Sequence, residues 1–63
     1  MDDRDRRTIN AMLRYGGGFV EALARAAEKA DAQNLEIIKR SWSGYWALYD
    51  AMAEGHDLAG VKL

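Results

Sequence analysis

Ile9, Met12 and Leu13 stand at the i, i+3, i+4 spacing of one helical face, and polar residues fill the positions around them. That spacing predicts a helix from about Asp3 to Tyr15. Asp2, Asp3 and Asp5 can cap its first turn or favour the positive end of its dipole, and Arg14 stands near the negative end. Gly16-Gly17-Gly18 then ends it, because consecutive glycines do not continue a stable helix and one of them can supply a left-handed cap residue.

A second helix is predicted from about Phe19 to Ala30, with Phe19, Val20, Leu23 and Ala27 on its inner stripe and Glu21, Arg25, Glu28 and Lys29 outside. Its alanines keep the other faces small enough for a neighbouring helix to approach closely. Asp31 is placed to cap a third helix beginning at Ala32, whose inner face carries Leu35, Ile38 and Trp42 and whose outer face carries Glu36, Lys39 and Arg40. Ser41 or Ser43, with Gly44, breaks that helix. Ser43 is placed to cap a fourth, with Tyr45, Trp46, Tyr49 and Met52 along one side and Gly55 as its stop. No stretch alternates apolar and polar residues for long enough to make a strand. The prediction is therefore all-α: a single-domain bundle of three to four short helices over residues 1–55, with a flexible C-terminal tail over residues 56–63. Its predicted core is Ile9, Leu13, Phe19, Val20, Leu23, Ala27, Leu35, Ile38, Trp42 and Trp46.

Composition narrows the class of function. The chain has 63 residues, 49% of them hydrophobic, and a formal net charge of -1, which is too apolar and too nearly neutral for the usual disordered class. A domain this small buries only about 60% of the surface of its unfolded chain, which leaves little room for an enclosed substrate pocket. Recognition through the surface is the default. There is no cysteine, hence no disulfide framework and no thiolate metal site. No apolar run approaches the roughly 20 residues of a membrane helix, and the first seven residues lack the cation-then-apolar pattern of a secretory signal, so no membrane association and a cytoplasmic location are expected.

The candidate chemistry is thin. His56 is the lone histidine, with Asp57 beside it, and a single imidazole and carboxylate fall short of a general-base or metal site. Ser41 and Ser43 lie where helix caps are needed and have no histidine at a motif spacing. Gly16-Gly17-Gly18 precedes a helix, yet it lacks the preceding strand and the lysine and Ser/Thr of a phosphate-binding loop. No catalytic residue, metal or cofactor is expected, and the chain reads as non-enzymatic.

The aromatic residues carry more information. Trp42, Tyr45, Trp46 and Tyr49 place four of the six aromatic residues within eight positions. One reading puts Trp42 and Trp46 in the core, with the tyrosines at its edge and their hydroxyls wet. The other makes the cluster a surface for a protein partner, with Arg40, Trp42, Tyr45 and Tyr49 as anchors, since Trp, Tyr and Arg are enriched where interfaces bind most tightly. A nucleic-acid alternative rests on the stretch from Ala26 to Arg40, which loosely resembles a helix-turn-helix with Gln33, Asn34, Lys39 and Arg40 where a recognition helix reads bases. Charge argues against it: acidic and basic residues are interleaved in both halves of the chain, and neither half is a basic footprint. A structural homo-oligomer sharing the aromatic face between copies is the third alternative.

Three phrases carry a resemblance: Gly16-Gly17-Gly18-Phe19-Val20-Glu21-Ala22-Leu23-Ala24, Ala30-Asp31-Ala32-Gln33-Asn34-Leu35, and Trp42-Ser43-Gly44-Tyr45-Trp46-Ala47-Leu48-Tyr49. Together they resemble short proteins encoded in bacteriophage and prophage genomes, over residues 16–49. The resemblance implies a phage accessory product, a group that includes small inhibitors of host enzymes and of host defence systems such as CRISPR, acting in the host cytoplasm. It implies no catalytic residue.

Overall fold

Asp2 opens the first helix as predicted for one of the three N-terminal aspartates: its carboxylate accepts a hydrogen bond from the Asp5 backbone N–H at 2.8 Å. In the computed structural model, which describes residues 1–55, four helices follow in order. They are α1 (Asp3–Tyr15), α2 (Gly18–Lys29), α3 (Ala32–Ser41) and α4 (Ser43–Ala53). The chain is a small all-α bundle, with no strand among the described residues. The predicted tail, and with it His56 and Asp57, lies outside them.

Helix α1 is the central element. It packs most extensively against α4 and α2, whereas α3 touches α2 and α4 more lightly. Ile9, Ala11 and Met12 of α1, Val20, Leu23, Ala24 and Ala27 of α2, Leu35 of α3, and Trp46, Leu48 and Tyr49 of α4 form one contiguous core. Leu13 and Ile38 pack against it half-buried. Two predicted core residues are not there. Phe19 is 55% exposed and Trp42 is 37% exposed. Val20, Leu23, Ala24 and Ala27 recur at i, i+3, i+4, i+7 and define the inner face of α2, which leaves Phe19 about one hundred degrees off it.

The joints between helices differ from expectation in their chemistry. None of Gly16, Gly17 and Gly18 is left-handed; Gly16 sits at φ -77°, ψ 152°, and Gly55 is the positive-φ glycine among the described residues, at φ 79°. Gly16 is required by proximity instead. A Cβ there would lie 2.5 Å from the Met12 carbonyl oxygen and 2.5 Å from Cγ1 of Val20, so the absent side chain lets α2 start directly against the end of α1. Ser43 does not cap α4. The helix begins at Ser43 itself, one residue earlier than a Ser43 cap would place it, since the Trp42 carbonyl accepts from the Trp46 N–H at 3.0 Å, and Trp42 occupies the cap position without a side-chain acceptor to offer. Gly44 lies inside the first turn of α4 rather than in a break. Asp31 caps α3 as predicted, accepting from the Asn34 N–H at 2.8 Å.

Polar bonds tie the helices across the bundle. Arg4 forks onto Asp50, Nε to Oδ1 at 2.8 Å and Nη2 to Oδ2 at 2.7 Å, and Thr8 Oγ1, fully buried, donates to the Arg4 carbonyl at 3.0 Å. The hydrogen bond and charge of Asp50 hold the Arg4 guanidinium protonated still more firmly than usual. Arg7 reaches Glu54 at 3.0 Å, and the predicted Glu21–Arg25 pair forms along α2 at 3.2 Å. Lys39, predicted to point outward, turns instead across the bundle to Asp5, with Nζ 3.0 Å from Oδ1. It also lies 5.9 Å from the centre of the Trp46 ring.

Candidate interaction surface

The rotation that keeps Phe19 out of the core brings it onto two other aromatic residues. Phe19 is the second residue of α2, Trp42 is the hinge between α3 and α4, and Tyr45 lies in the first turn of α4. The Phe19 and Trp42 ring centroids are 6.1 Å apart at an interplanar angle of 61°, an edge-to-face contact, and the Phe19 and Tyr45 centroids are 5.9 Å apart at 53°. All three rings keep more than a third of their surface in water. Trp42 turns outward because its backbone, at φ -121°, ψ 46°, leaves the helical region where α3 hands over to α4.

The segments that supply this cluster are uncharged. Residues 15–20 and 41–49, which supply it, contain no acidic or basic side chain, although 30% of the chain is charged. Gly17, Gly18 and Gly44 border it, and a Cβ at any of them would meet no other atom within 4 Å. The three aromatic residues thus stand on uncharged segments and beside small residues. Exposed apolar residues scattered singly are ordinary, whereas here Phe19 touches both Trp42 and Tyr45.

The structure distributes the predicted site residues unevenly. Trp42 and Tyr45 belong to the cluster. Tyr49 does not: at 6% exposure it is part of the core, because Trp46 and Tyr49, at i and i+3, form the inward side of α4. Arg40 is exposed at the end of α3 and makes no ion pair or hydrogen bond among the described residues. Of the set considered for reading bases, Gln33, Asn34 and Arg40 are exposed on α3, whereas Lys39 is occupied by Asp5. Phe19, which links Trp42 to Tyr45, was placed in the core by its sequence neighbours. The signal that could have found it is the stripe of Val20, Leu23, Ala24 and Ala27, which is complete without it.

Among the described residues no group of three histidine, acidic or cysteine side chains could hold a metal ion, and no helix is long and apolar enough to cross a membrane. Comparison with protein-family models, with curated proteins and with solved structures yields no match to this chain.

Proposed function

We propose that this chain is a non-enzymatic interaction protein that docks its Phe19, Trp42 and Tyr45 face onto the surface of a larger protein. The observation that carries the reading is the half-exposed, charge-free aromatic cluster. Aromatic side chains present a large contact area at little entropic cost, here with Phe19 packed on both Trp42 and Tyr45, and aromatic anchors dominate binding energy at protein interfaces. Arg40, exposed and unpaired among the described residues, is available to the polar rim of such a contact. The likeness to short phage proteins directs the search to bacterial host proteins, with inhibition of a host enzyme or defence system in the host cytoplasm as the mode of action.

The test is a tagged pull-down from bacterial lysate, with and without nuclease, comparing the wild type with a Phe19→Ser, Tyr45→Ser double variant that keeps the wild-type helical circular dichroism. A single stoichiometric protein that survives nuclease and is lost with the double variant is the expected result. Recovery of nucleic acid alone, of the bait alone, or of a partner indifferent to the double variant overturns the reading.

A further inference from the structure

A second feature lies away from the aromatic face, where the end of α4, at Met52 and Ala53, meets the second half of α1. An open groove of about 270 Å³ runs there. Its floor is apolar, made by Ala11 of α1 and Met52 of α4, and its rim carries Arg7, Asn10 and Arg14, which stand at i, i+3 and i+7 on one side of α1, with Tyr15 at the far end. The rim donors are largely unspent. Arg7 gives one hydrogen bond, to Glu54, and its side chain is 52% exposed. Arg14 has no carboxylate partner among the described residues, and its guanidinium is steadied 5.3 Å from the centre of the Tyr15 ring. Asn10 is exposed and its amide is unbonded among the described residues. Among the described residues two cations and no carboxylate line the groove, and Glu54 neutralises one of the cations, which leaves a net positive charge above an apolar floor.

We propose that this groove binds a small aliphatic carboxylate, its anionic head on Arg14 and Asn10 and its chain along Ala11 and Met52. An anion is called for by the charge balance, and a planar carboxylate accepts two donors of a guanidinium side by side. A short body is called for by the volume, which falls below the roughly 300–1,000 Å³ of pockets that hold drug-sized ligands. The site uses no residue of the aromatic cluster, so it stands or falls separately from the protein-docking reading.

Hexanoate is the probe, titrated into the full ¹⁵N-labelled chain and followed by amide chemical shifts, with hexanamide as its neutral isostere. Saturable shifts centred on Asn10, Ala11 and Tyr15 are expected, weaker for hexanamide and weakened by added salt. Arg14→Gln, checked for wild-type helicity, weakens hexanoate about fivefold, the scale of one exposed charge-assisted contact, while Arg40→Gln and Phe19→Ser leave it unchanged. Shifts that never saturate, equal binding of hexanamide, or an Arg14→Gln variant that binds like the wild type each overturn the proposal. So does tighter binding of an acetyl- and amide-blocked Leu-Glu dipeptide, which reassigns the groove to the acidic side chain of a protein.

Discussion

A methyl group at Gly16 has nowhere to go. It would meet the Met12 carbonyl oxygen, which is backbone, and Val20, which is core, so Gly16→Ala must push α1 and α2 apart at the joint. The expected cost is about 1–3 kcal/mol, the usual range for overpacking, read from the urea midpoint. Gly44 is the control at the same scale. It is helical with open space at its Cβ, and alanine there is expected to be neutral or to stabilise by up to about 0.5 kcal/mol through helix propensity. Equal losses at the two positions would show that close approach is not what Gly16 supplies. The glycine run itself was readable as the end of a helix. Which glycine is indispensable, and for what, was not, because the clash at Gly16 involves a side chain of the next helix.

Among the elements, α3 has the weakest hold on the bundle: only Leu35 is fully buried, with Ile38 and Lys39 partly so. Its cap at Asp31 is local, and a carboxylate accepting from a backbone N–H three residues on can be read from the sequence alone. Its cross-bundle tie, Lys39 to Asp5, is not local. The partners are 34 residues apart, and the side-chain period that put Lys39 on the outer face does not register a long, flexible stem that doubles back over Trp46. Lys39→Ala leaves the Asp5 carboxylate, only 13% exposed, without its cation. A loss of about 1 kcal/mol is expected, since the pair is only partly screened from water. Native-state hydrogen exchange should speed up more at the amides of α3 than at those of α1. Uniform acceleration along the chain would instead mean that α3 opens only with the whole molecule.

For the whole molecule the decisive question is which aromatic and aliphatic residues hold the fold and which are displayed. Met12 is completely buried at the crossing of α1 with its neighbours, and Met12→Ala is expected to cost about 2–5 kcal/mol, enough to unfold a chain with so small a core. Phe19→Ser with Tyr45→Ser should cost far less, because each ring already stands in water over more than a third of its surface. Thermal melts followed by circular dichroism separate the two cases. Collapse of the double variant on the scale of Met12→Ala would make the cluster a structural element and remove its role as a displayed surface.

The helices, their order and most of their limits follow from local signals in the chain, because 3.6-residue periodicity, carboxylate caps and glycine stops act within one or two turns. The sequence also implied that the chemistry would be sought at the surface, since few polar groups with catalytic character are present in 63 residues. Tertiary structure decided the rotation of each helix about its own axis. That rotation turned Phe19 outward, drew Tyr49 inward and left Arg14 above an open groove, while the non-helical joint after α3 turned Trp42 out and the long stem of Lys39 reached Asp5. Where apolar residues occupy neighbouring angles on a helix, period alone cannot choose among them. The choice falls to whichever set packs most closely against the other helices.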